Sequence, residues 1–155
     1  MGFSFIGTFI GTLILVPSIL FFIKFPPKNI PADSTNTGVI YTILERIGQV
    51  GCLTVLVMSK DNFHSMKVNA WMLLMLLCIL VYYSLWIRYV VKGQDYSWLW
   101  KPLFFIPIPL AVFPVCAYVF AALWVKSVWL GIAALILAIG HLKVSYHSSK
   151  CINLK

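Results

Sequence analysis

The 22 residues GFSFIGTFIGTLILVPSILFFI, positions 2 to 23, contain no charged side chain. A hydrocarbon layer about 30 Å thick demands about 20 such residues of a helix rising about 1.5 Å per residue. Four later stretches meet or approach the same demand, so the expected fold is all-α: one transmembrane domain over residues 1–155, with helices at about 2–23, 39–58, 69–91, 103–125 and 127–146. Composition agrees. The chain is 61% hydrophobic and 10% charged, whereas a soluble domain carries about 25% charged residues and could not bury so much apolar surface.

The first apolar run has no Lys or Arg before it, exceeds a signal peptide's apolar length and is followed by no small-residue cleavage site, so it reads as a retained helix. The net charge of +8 does not point to nucleic acid, because the Lys and Arg residues stand singly at the ends of apolar runs. They speak instead to topology. One side of the membrane receives Lys60, Lys67 and Lys126, and the other receives Lys24, Lys28, Arg46, Arg88, Lys92, Lys101, Lys143, Lys150 and Lys155. Cytoplasmic segments retain positive charge. The expected orientation therefore has the N-terminus outside, the first and third loops inside, and a cytoplasmic C-terminus.

The first loop, KFPPKNIPADSTNTG, combines three prolines with Ser, Thr and Asn residues that are N-cap candidates for the second helix. The third loop, KGQDYSWLWK, is rich in aromatics and is expected at the membrane-water interface. Cys52, Cys78 and Cys116 lie in apolar segments and Cys151 in the tail, so they read as small buried hydrophobes and not as disulfide or zinc partners.

The second helix is the informative one. Its uncharged remainder, IGQVGCLTVLVM, is too short to span, so the helix must begin near Val39 and carry Glu45 and Arg46 into the membrane. Helical spacing puts Glu45, Gly48, Gln49 and Cys52 on one face and Arg46 on its flank. Glu45 would lie roughly 9 Å below the boundary. An ionisable group at such depth costs about 2.5–3.5 kcal/mol, so it should face the bundle interior, a watery cavity or a partner of opposite charge. In the last helix, Ala134, Ala138, His141 and Ser145 share a face whose small residues let a neighbour come close. His141 falls at a depth similar to Glu45, which admits a contact between them.

Two readings of Glu45, Arg46, Gln49 and His141 follow. They either fix helix packing, with Arg46 reaching to the headgroups, or form a polar site open to the cytoplasm that binds or relays an ion, proton or polar headgroup. Arg88, with Tyr82, Tyr83, Trp86 and Tyr89, reads as an interfacial anchor, with an anionic-ligand role as the alternative. Of four prolines in thirteen residues, Pro102 fits the fourth helix's first turn, whereas Pro107, Pro109 and Pro114 should kink or partly unwind it, as a tolerated bend or as a cavity-lining break. Gly7 and Gly11 have close-packing spacing, for use within the chain or in a homodimer.

No P-loop, dinucleotide fingerprint, HExxH pair or metal-spaced Cys and His cluster is present, and neither a cofactor nor a metal is expected. Taken together, ILERIGQVGC, the aromatic third helix ending IRY, the proline-rich fourth and IGHLKVSY in the fifth resemble a group of small multi-pass bacterial membrane proteins without an established activity. The resemblance runs from about residue 40 onward and implies a cytoplasmic-membrane protein; it brings no site residues. The expected function is that of a small transporter or channel-like protein, with the bilayer and a second copy or a membrane protein as partners. The alternatives are a non-catalytic accessory, immunity or assembly subunit, and an enzyme acting on a lipid with Glu45 and His141 as acid and base.

Overall fold

A computed structural model describes residues 2–30, 38–59 and 67–153. Six helices follow one another: α1 (Phe5–Lys24), α2 (Val39–Met58), α3 (Ala70–Val91), the single turn α4 (Ser97–Trp100), α5 (Pro109–Val125) and α6 (Val128–Asn153). No strand occurs among the described residues. Four helices, α1, α2, α3 and α6, are long and apolar enough to cross a membrane, and many of their large apolar side chains face outward. This is a membrane protein by the physics of its surface, since a water-facing chain would bury these groups.

Local chemistry sets the helix ends. Ser4 caps α1, its Oγ accepting from the Gly7 N–H at 2.7 Å, and Asn69 caps α3, accepting from the Met72 N–H at 3.1 Å. Gly38, at φ 98°, precedes α2. The Ser, Thr and Asn residues expected to cap α2 lie outside the described residues. Lys126, in the left-handed region at φ 53°, ends α5, and Ser127 starts α6 at once, its Oγ accepting from the Leu130 N–H at 3.3 Å.

The fourth expected span differs from its sequence reading. It is helical only from Pro109 to Val125, 17 residues instead of the stretch 103–125. Pro109 fits the first helical turn, where no N–H is needed, whereas Pro102 and Pro107 cannot join a helix interior. The chain there makes a tight turn in which Leu103 and Ile106 exchange backbone hydrogen bonds of 3.0 Å, leaving Phe104 and Phe105 fully outside. The last helix runs to Asn153, past the expected end at 146.

The long helices and α5 alternate in direction. At one end the Gly2 and Ser4 N–H groups reach the carbonyls of Met58 and Val57, and Trp124 Nε1 donates to the Lys67 carbonyl at 3.1 Å. At the other end the first and third loops clip together: Lys28 N–H donates to the Gln94 carbonyl, Tyr96 N–H to the Lys28 carbonyl, and Asn29 to Asp95. Hydrogen bonds from Ser97 and Asn29 hold the partly exposed Asp95 carboxyl below its ordinary range.

Around the bundle α1 packs on α2, α2 on α6, α6 on α5, α5 on α3, and α3 returns to α1. This ring of five closes through backbone contact. A side chain at Gly7 would run into the Leu56 carbonyl, at Gly48 into the Leu137 backbone, and at Gly140 into the Glu45 backbone. The Gly7 and Gly11 face is thus used inside the chain, against Leu56 and Leu53.

The aromatic belt expected at the inner end of α3 is internal instead. Tyr82, Trp86 and Tyr89 are at most 4% exposed. Phe21 of α1 stacks on Trp86 at 5.3 Å, and α4 folds back so that Tyr96 and Leu99 join the same cluster. Hydropathy could not foresee this, because an interfacial ring and a ring covered by its own loop have the same composition.

Candidate functional site

Glu45 enters the ring because α2 cannot avoid carrying it and because its face is the one that meets α6. Gly48 and Gly140 bring the two backbones into contact on either side of it. His141, one residue beyond Gly140, is therefore held opposite Glu45. The separation between His141 Nδ1 and Glu45 Oε1 is 2.8 Å. With the carboxyl ionised, Nδ1 is the donor in this contact; with it protonated, Nδ1 is the acceptor. The imidazole and the carboxyl are 28% and 20% exposed, neither sealed nor open.

The pair borders a cavity of about 60 Å³ in the middle of the ring. All five ring helices line it, with Ser18 from α1, Glu45 and Gln49 from α2, Tyr82 from α3, Tyr118 from α5 and His141 from α6 as its polar groups. Pro114 of α5 lines the same space. Pro114 has no N–H to offer the carbonyl of Leu110 one turn back, so the helix is weakened beside the cavity. One water needs about 10–15 Å³ of this kind of volume. The space suits a few waters or a small ion, not a lipid headgroup.

Of the five residues singled out in the sequence, the structure brings three together: Glu45, His141 and Gln49. Arg46 is exposed on the outer flank of α2. Arg88 lies apart, near α4, where its Nη2 donates to the Lys101 carbonyl at 3.1 Å and its guanidinium sits 5.8 Å from the Trp98 ring centre. Sequence reasoning missed Ser18, Tyr118 and Tyr82 as cavity groups. Ser18 follows Pro17 on a helix with no other polar marker nearby, and Tyr118 sits in an otherwise apolar run; only their shared depth with Glu45 could have signalled them. Gly140, the residue that admits Glu45, was also missed, although its place beside His141 on a small-residue helix was visible.

Cys52 and Cys78 are buried, as small apolar residues would be, and Cys116 is partly buried. No group of three His, Cys, Asp or Glu side chains that could hold a metal occurs among the described residues. No family model, curated protein or solved structure matches the chain.

Proposed function

We propose that this protein is a small transporter or channel-like protein of the bacterial cytoplasmic membrane, in which Glu45 and His141, with Gln49, hold a proton or a small ion. One observation carries the reading: Glu45, the carboxyl carried by α2, is paired at 2.8 Å with a histidine and faces a cavity of about 60 Å³ to which all five ring helices contribute a polar side chain. Intramembrane ionisable groups that face a cavity commonly mark ion and proton paths. A carboxyl and an imidazole in contact can exchange a proton with water by small movements of either side chain. The size of the cavity limits the cargo, and it leaves no room for a lipid beside Glu45.

In this reading α5, at 17 residues about 26 Å long, serves as the fifth span. The basic end of the bundle, with Lys24, Lys28, Arg88, Lys92 and Lys101, faces the cytoplasm, which puts the N-terminus outside. Five helices leave little room for alternating access in one chain, so a second copy or a membrane partner completes the path.

The test is flux. Reconstituted in liposomes under an imposed pH or monovalent-ion gradient, the wild-type protein should dissipate the gradient, and Glu45→Gln should fall to the level of protein-free liposomes while remaining folded. Wild-type flux equal to that of empty liposomes would sink the reading. A second reading has its own observation: the pair sits where α2 and α6 touch through Gly48 and Gly140, so it also suits an accessory subunit in which the pair fixes helix register. That reading expects no flux and a large stability loss on removing either partner.

A further inference from the structure

Beyond the Glu45 cavity lies a second chamber, of about 150 Å³, at the end of the ring roofed by α4. Its walls are largely aromatic: Phe22 of α1, Tyr82 and Trp86 of α3, and Tyr96 and Trp100 at the α4 turn border it. The rings meet edge to face. Tyr82 and Phe22 stand at 81° and 74° to Trp86, and Tyr96 at 66° to Trp100, so the space is walled from several directions. Rings that merely packed together would fill this volume, as protein interiors do. Here they leave it open. One water needs about 10–15 Å³ of such volume, so the chamber has room for roughly ten, which suits an organic ion of several heavy atoms better than a bare one.

The surroundings define the charge of that ion. The Tyr82 hydroxyl is hydrogen-bonded to the Trp86 indole and to Ser18, which fixes two of the rings and leaves their π surfaces, not their polar atoms, for a ligand. Among the described residues no Lys or Arg lines the chamber. Arg88, Lys92 and Lys101 are gathered instead on the ring of Trp98, at 5.8, 5.5 and 3.9 Å from its centre, and Trp98 does not border the chamber. The chamber shares Ser18, Tyr82 and His141 with the Glu45 cavity, so a carboxyl stands in the adjoining space. Aromatic rings are negative on their faces, and several of them around one space attract a cation, above all an alkylated ammonium, whose charge is spread over apolar groups.

We infer that the α4 chamber binds an alkylated ammonium group, held by the rings of Tyr82, Trp86, Tyr96 and Trp100. Its charge is met by the π surfaces, and its methyl groups take the apolar contacts that the rings do not make with one another. The group is that of a free organic cation or of a lipid headgroup, and the chemistry recognised is the same. The inference concerns binding alone and stands whether or not Glu45 conducts; His141, which borders both spaces, is where the two would communicate.

Choline and 3,3-dimethylbutan-1-ol share a shape and differ in charge, so together they separate a cation site from a merely apolar hole. Delipidated protein in a non-ionic detergent should gain about 5 °C in melting temperature with choline chloride at about ten times its dissociation constant, and little with the alcohol or with sodium chloride at equal concentration. A gain with choline identifies a soluble cation; a gain with phosphatidylcholine over phosphatidylglycerol, and none with choline, identifies a lipid headgroup. Trp100 is partly exposed and is the ring to change. Trp100→Leu should weaken binding about tenfold and Trp100→Phe about threefold, because an indole holds a cation better than a phenyl ring does, while both variants melt close to the wild type without ligand. If neither choline nor phosphatidylcholine stabilises the wild type, if the alcohol stabilises it equally, or if Trp100→Leu keeps full affinity, the inference is wrong. Should Trp100→Leu not fold, Trp100→Phe decides alone, and an unchanged affinity there overturns the inference.

Discussion

Gly140→Leu should prevent the protein from being recovered as a folded, monodisperse species, whereas Gly131→Ala on the same helix should be neutral or slightly stabilising. The contrast follows from what each α-carbon faces. A β-carbon at Gly140 would overlap the Glu45 backbone nitrogen and lie 2.7 Å from the Glu45 α-carbon and 2.8 Å from the Tyr41 carbonyl oxygen. Backbone cannot rotate aside as a side chain can, so α2 and α6 must separate. Nothing lies within 4 Å of a β-carbon at Gly131, and Ala improves helix propensity by about 1 kcal/mol over Gly. Overpacking costs about 1–3 kcal/mol even where side chains can adjust; the leucine at Gly140 should exceed that range, a large fraction of a typical total of about 5–15 kcal/mol. Size-exclusion profiles and melting temperatures of the two variants check it. If Gly140→Leu melts like the wild type, α2 and α6 are not in backbone contact.

The second large effect concerns the pair itself. Glu45→Ala leaves His141 Nδ1 without its partner, and His141→Ala leaves the Glu45 carboxyl facing a small cavity without its hydrogen-bond partner. Removing one partner of a fully buried ion pair costs about 3–5 kcal/mol, but these groups are 20% and 28% exposed and border space for water. Measured couplings between polar groups in membranes average about 0.6 kcal/mol and reach about 1.7. The expectation is therefore a loss of about 1–2 kcal/mol for each single change, more for His141→Ala because the stranded group is a charge, and a coupling of about 1 kcal/mol in the double-mutant cycle. Glu45→Gln should lose less than Glu45→Ala, since its amide oxygen can still accept from Nδ1. A coupling near zero would mean that the 2.8 Å contact adds nothing to stability.

Much of this was legible in the residues. Glu45 had to enter the membrane because α2 is too short without it, and helical rise alone placed His141 at its depth; the contact between them followed. The Gly7 and Gly11 face announced a close helix approach. What escaped the sequence has a common physical origin. The inner aromatics of α3 read as a surface belt because composition does not say which side of a ring water lies on, and only the α4 turn folding back decides it. The prolines at 107, 109 and 114 showed that the helix was interrupted, but not that its first turn would lie at Pro109 instead of Pro102. Ser18 and Tyr118 are ordinary residues of apolar helices until five helices close around one level.

The most direct test asks whether Glu45 stands in water or in a dry contact. It is the chain's only glutamate, so glutamate labelled with ¹³C at the side-chain carboxyl reports it alone in an infrared spectrum of the protein in bilayers. If the pair faces a wet, exchangeable cavity, the labelled carboxylate band should convert reversibly to the carboxylic acid band as the bulk solution is acidified, and that acid band should shift promptly in D₂O. A carboxyl band that ignores the bulk pH and does not exchange over hours in D₂O would contradict the account and leave Glu45 and His141 as a packing device.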